Sequence, residues 1–478
     1  MKYSILILFL GIFLYMPITF GEDISGGWSY SSDFIHIDSI LMSKDGKYIS
    51  VGVYDHTVDK LFYIYLFNNN GKIIWIYKEN YYCPFTMTPN GKYLVIGNKN
   101  NIYLFENNNK SVRMVFSYSL REYISSIFIT NNGKYILAVD NNSNIYFLNQ
   151  KNGVLWHKNI SDKINSISLI SDGKYILIKC KNENYLFNRE GNLLWNTTKI
   201  SYISSNESYI FSVDYNNKTV LKVYNISNGK LLWSYVMGNN EYTTSKNITW
   251  ITNWYDVDSI KTSFDDKYIT VIYDIYCGEE PEIIPSSSGI LVFNNKGKLL
   301  WENHTYSGNV ITAFSMTPDG KYIVIGTGSP PTSSAYGGNV SAKVLLYNNK
   351  GSLLWSFEEN YIAGKVKLVY ITSDGKYILA WYNNGDIFIF NNKGDILWHY
   401  KYRELTNGIL YEGLINNVYM SSDGKYVVIK LWDGINYFYT NIGDTNNNKN
   451  TINLYTIYAI LIIICLVFVG LIIKNKSK

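Results

Sequence analysis

Five histidines are the first residues to test for chemistry: His36, His56, His157, His304 and His399. They lie in different units of the chain, and no pair has the spacing that would place two imidazoles on one metal ion. Three carboxylates, Glu279, Glu280 and Glu282, could offer calcium the oxygens it prefers. The stretch lacks the Asp/Asn/Gly rhythm of a calcium loop, so it reads as a solvated acidic segment. Gly326-Thr327-Gly328 is part of a dinucleotide fingerprint. It runs into Pro330-Pro331, which cannot open the helix that such a site needs. No H-E-x-x-H, phosphate-binding loop or G-x-S-x-G is present.

With no catalytic constellation, binding is the better expectation. Long inserts break an otherwise regular pattern at residues 237–256 (with Trp250 and Trp254), 274–289 (with the three glutamates) and 326–341 (with Tyr336). A smaller one covers 402–413. Loops of this length in a compact fold are more often functional than idle. They are the expected binding surface for a protein or glycan partner.

The ends of the chain speak about location. Residues 1–21 read as a secretory signal, with Lys2, an apolar run over 5–15 and small residues at Thr19 and Gly21. Residues 454–473 carry no charge and are long enough to cross a bilayer. The basic tail 474–478 places that end in the cytoplasm. Residues 22–441 then form an outside body, joined to the span by a polar linker at 442–453. Ten N-x-S/T sequons fall in the body, at Asn109, Asn141, Asn159, Asn196, Asn206, Asn217, Asn225, Asn247, Asn303 and Asn339. Cys83, Cys180 and Cys277 allow at most one disulfide, and Cys465 lies in the apolar run. Most of the formal charge of +5 sits in the two terminal segments. The body, at about +1, has no electrostatic footprint for nucleic acid.

What must position any site is a repeat. A G-K-Y phrase recurs at Gly46, Gly91, Gly133, Gly173, Gly320, Gly375 and Gly424, with weaker copies at Glu207 and Asp266. A second phrase, Gly then apolar residues then Trp, alternates with it at Trp75, Trp156, Trp195, Trp233, Trp301, Trp355 and Trp398. Phe116 fills the slot once. Each unit alternates β-branched and aromatic residues between Asx-Gly turns, which gives four short strands. The fold class is all-β: one β-propeller of nine four-stranded blades, eight being the fallback, plus the C-terminal helix. Near-copies of one phrase argue for construction rather than catalysis. The ninth unit lacks a fourth strand, and Gly27-Trp28-Ser29-Tyr30 is expected to supply it and close the ring.

The stretch P-D-G-K-Y-I at 318–323 resembles the turn of WD-repeat propellers, and G-K-L-L-W resembles the repeat of pyrroloquinoline-quinone-type propellers. The resemblance spans 28–441 and implies the fold. The quinone family's redox members would imply a Trp under the quinone, an Asp base, calcium and often an adjacent-cysteine disulfide. No Cys-Cys pair or C-x-x-C-H exists here. The expectation is therefore a non-catalytic surface propeller with no cofactor. An envelope assembly factor is the alternative, and a quinone- or calcium-dependent dehydrogenase the third reading. The short Asx-Gly turns share one face, expected to look at the membrane, and the long inserts share the other.

Overall fold

The computed structural model describes residues 27–440, apart from 32–34, 56–60, 198–199, 240, 246–247, 280–281, 306–308, 330–341, 360–363, 402–403, 407–408, 412–414 and 432–433. Leader, linker and apolar run lie outside the described residues. Among the described residues no helix is long and apolar enough to cross a membrane.

Among the described residues nine antiparallel blade sheets follow one another along the chain, and a separate two-stranded hairpin is the tenth sheet. Blades 1 to 8 occupy residues 35–79, 85–119, 124–159, 164–197, 200–239, 241–304, 310–359 and 366–401. Blade 9 takes three strands from 415–439. Its fourth is Gly27–Ser31, which pairs antiparallel with Gly434–Tyr439, Trp28 opposite Tyr437. The nine-blade expectation and the N-terminal closing strand are both met, and the two weaker copies at Glu207 and Asp266 each build a full blade.

The opening phrase is longer than its three letters. In blade 1, Ser43 Oγ donates to Asp45 Oδ1 (2.7 Å), the Tyr48 amide donates back to Ser43 Oγ (3.0 Å), and the Lys47 amide bonds Asp45. The same net recurs from Thr88, Thr130, Ser263, Thr317, Thr372 and Ser421. A buried hydroxyl thus satisfies the turn and starts the second strand. Blade 4 has Ile170 in that position. Its turn differs from the others in holding two consecutive residues in the left-handed region, Asp172 at φ 51° and Gly173 at φ 80°.

Both phrases tie each blade to the next. The Tyr of one blade lies over the turn Gly of its neighbour: a Cβ on Gly91 would stand 2.5 Å from the Tyr48 ring. The Trp does the same at the second turn. A Cβ on Gly297 would stand 2.6 Å from Trp233, whose Nε1 donates to the Asn295 carbonyl at 3.1 Å. Trp28, Trp301 and Trp355 donate likewise to Asn69, Asn349 and Asn392. Glycine is required twice over, for positive φ and for room. Apolar clusters bridge each blade to the next from blade 1 to blade 8, and blade 9 to blade 1 through Ile37, Val51, Val428 and Tyr437. Trp398 and Tyr400 close the step from blade 8 to blade 9 on Phe438.

First strands of adjacent blades touch, so they form the inner wall; fourth strands are exposed at the rim. First-to-second and third-to-fourth turns share one face, called here the uniform face. The other two connections share the variable face.

Candidate functional site

Blade 6 departs from its neighbours. Its first three strands, Ile248–Thr262, Tyr268–Glu279 and Glu282–Asn294, are 15, 12 and 13 residues long, where the matching strands of blade 8 have 6 each. An added strand, Glu241–Ser245, pairs with the first. The segments 237–256 and 274–289, expected as irregular loops, are therefore mostly a sheet arm. At ~3.3 Å per residue, six extra residues carry it about 20 Å beyond the ring on the variable face. Pro285 fits because the register shifts beside it, with Ser286 as the extra residue, whose Oγ bonds the Ile275 carbonyl (2.9 Å). Residues 402–413 likewise hold a short hairpin, Glu404–Thr406 with Ile409–Tyr411.

The arm's root is acidic and aromatic. Asp256 stands directly opposite Asp274 on the neighbouring strand, and Asp258 is the extra residue of a bulge two positions on. Like charges facing across a ladder destabilise it. Burial pushes the Asp274 carboxyl up to about 6; the Ser288 hydroxyl opposes this, and the Asp258 and Asp256 charges add to it. Burial, then Asp256, raises Asp258 as well. Tyr215 of blade 5 stacks on Trp254, with centroids 6.1 Å apart and planes at 11°. Its hydroxyl accepts from the Val257 amide (3.2 Å). Tyr202 donates to the Asp258 carbonyl (3.1 Å). Tyr255 and Tyr273 pack against each other and over Gly238 and Gly289, where a side chain would collide with them. This root joins rigid rings to crowded carboxylates, a surface suited to a cationic group.

Of the candidates named from sequence, Trp254 belongs to this root. Trp250 pairs with Glu279 near the arm's tip, and Glu279 pairs with Glu282 across the turn. Glu280, Tyr336, Asn247 and Asn339 lie outside the described residues. Asn109, Asn141, Asn159, Asn196, Asn206, Asn217 and Asn303 are exposed, and Asn225 is half-buried. Tyr215, Asp256, Asp258, Asp274 and Ser288 were missed. A signal existed: "YDVDS" in blade 6 occupies the place that "DKINS" fills in blade 4, with Asp256 where Lys163 stands and Asp258 where Asn165 stands.

The histidines do not converge. His36 and His56 fall within one repeat unit of the sequence rather than in different units, and His56 lies outside the described residues. His157 stacks on Tyr146, His304 meets the Tyr273 hydroxyl, and His399 bonds buried Asp386 together with Lys401. Among the described residues no three His, Cys, Asp or Glu form a metal site. Gly326 and Gly328 end a second strand, where they let the first strand of blade 8 pass close at Val366 and Lys365. The three body cysteines are free thiols. A cavity of about 290 Å³ between blades 4, 5 and 6 is lined by Ser168, Lys179, Tyr202, Ser205 and Ile260. Burial pulls Lys179 below its usual range, and its ammonium lies over the Tyr202 ring.

No family model matches the chain, and no curated protein matches it. Among solved structures it is similar to the C-terminal WD40 domain of Sif2 (13% identity, TM-score 0.46, covering 74% of this chain and 95% of that one). It is also similar to Sqt1 of Chaetomium thermophilum (10%, 0.48, 89% and 100%) and to BamB of Moraxella catarrhalis (11%, 0.41, 74% and 93%). These likenesses are too distant to carry a functional conclusion. The propeller assignment rests on the strand order itself.

Proposed function

We propose that the chain is a non-catalytic, membrane-anchored surface propeller that captures a protein partner on its variable face. The observation that carries this is the blade 6 arm, a strand-paired projection with an acidic and aromatic root. Its strand pairing fixes Asp256 and Asp274 in mutual repulsion. A basic side chain of a partner relieves that repulsion and stacks on Trp254 and the tyrosines. The signal-like leader and the apolar run at 454–473 support display outside the cell on a single span. A glycan partner is a weaker match, because crowded carboxylates favour a cation over neutral hydroxyls.

The test is photo-crosslinking on intact cells from Tyr276 on the arm, with a second probe at Tyr118 on the rim. One partner should be trapped from Tyr276 and lost when Asp256→Asn and Asp258→Asn are combined. Equal trapping from both probes, or trapping that survives the double substitution, contradicts the proposal.

A further inference from the structure

The uniform face has features that the ring does not need, and we infer that it docks on an anionic lipid surface. This rests on the anchored reading and on the orientation expected from the sequence, and adds the lipid chemistry that the face binds. Eight turns join third to fourth strands at the rim of this face. Together they hold nine Lys or Arg and two acidic residues. Lys72, Lys230, Lys298, Lys350 and Lys393 are exposed, and no carboxylate bridges them among the described residues.

Directly above these turns runs an aliphatic belt. In every fourth strand of blades 1 to 8 the register shifts just before the aromatic residue. In blade 6, Leu299 faces Phe293 and Trp301 faces Val292, so Leu300 is the unpaired extra residue. The bulge turns Trp301 inward and leaves Leu300 outward. Leu232, Leu300, Leu354 and Leu397 are 43, 41, 44 and 42% exposed, and Leu155 and Val115 hold the same place. The ladder itself does not require an apolar residue here, since a bulge residue is unpaired; Leu194 in blade 4 packs on a core cluster, whereas the other leucines keep about two fifths of their surface open. Repetition of an apolar one over a lysine ring therefore points to an amphipathic surface.

The dimensions fit. One or two residues at ~3.3 Å each separate belt and turns. Docked flat on the surface, this face would set the turn lysines among the phosphates, with the leucines one or two residues behind them at the outer edge of the headgroup layer. The chain also leaves the ring here. Gly434–Tyr439 runs toward the uniform face, and Thr440 is bonded there to the Lys425 and Gly424 carbonyls (both 2.9 Å). The thirteen residues of 441–453 reach about 45 Å at most before the apolar run begins.

The experiment compares the full chain in phosphatidylglycerol and phosphatidylcholine nanodiscs by amide hydrogen exchange. In phosphatidylglycerol, peptides covering 69–76, 295–302 and 349–356 should exchange at least about fivefold more slowly than in detergent. Each lysine at an anionic surface is worth a factor of about five. Lys72→Glu, Lys298→Glu, Lys350→Glu and Lys393→Glu together should thus lower docking more than a hundredfold. Leu232→Ser, Leu300→Ser, Leu354→Ser and Leu397→Ser, with an unchanged melting temperature, should weaken the protection less than the lysine reversals do, and a larger loss than theirs contradicts the lysine-led docking. Protection that is equal in both lipids, that falls on the variable face, or that appears in detergent as concentration rises (a second copy) overturns the inference. Carbonate extraction of proteoliposomes reports separately on the anchor. A chain that washes out contradicts the span, while protection confined to phosphatidylglycerol still supports docking.

Discussion

Replacing Asp274 with Asn should stabilise the protein at pH 8 and change little at pH 4. The Asp274 carboxyl is raised from 3.8 to about 6, first by burial and then by Asp258 and Asp256. The folded value lies above the unfolded one, so proton binding favours the fold. That contribution is fully present below pH 3.8 and is lost as pH rises through 6. The full difference corresponds to about 3 kcal/mol. Asp274 keeps some solvent contact, so screening reduces this to about 1–2 kcal/mol. Asn preserves size and an acceptor for the Ser288 hydroxyl while removing the charge. Urea unfolding at pH 4, 6 and 8 reads the effect as a midpoint shift that grows with pH. A variant less stable than the parent at pH 8, or a shift independent of pH, refutes the crowded-carboxylate reading.

Gly297→Ala places a Cβ against Trp233 at a φ of +81° and should cost about 1–3 kcal/mol, seen in thermal unfolding. Thr317→Val removes a hydroxyl that donates to Asp319 and accepts from the Tyr322 amide; about 1–3 kcal/mol should be lost, and Thr317→Ser should recover most of it. Burial pushes the Cys83 thiol up to about 12 and the Cys180 thiol to about 11, so at pH 8 Cys277 should be alkylated before either, as peptide mapping can show.

The ring was legible because its two phrases recur, and each recurrence marks a contact that must be made again. Even Glu207 and Asp266, which replace glycine at positive φ, stay recognisable through the following Tyr. The Ser/Thr ahead of eight of the nine turns escaped notice, since its meaning is a buried hydrogen bond rather than a hydrophobic period. The arm was misread for a physical reason too. Pro285, Gly289 and a run of serines suggest a loop, yet a single bulge at Ser286 lets the ladder continue past the proline. The carboxylate group at the root could not be seen as a group, because Asp256 and Asp274 become neighbours only once the strands pair. Trp254 stood out by type alone; its Tyr215 partner comes from another blade.

Everything described depends on one ring sealed by the chain's two ends. Ser29 and Asn436 are paired across that seam. Ser29→Cys with Asn436→Cys, oxidised in the native protein, should form an intramolecular disulfide that mass spectrometry finds between peptides around 29 and 436. A protein that yields only free thiols or intermolecular dimers under the same conditions has no such seam, and the closed nine-bladed ring is then wrong.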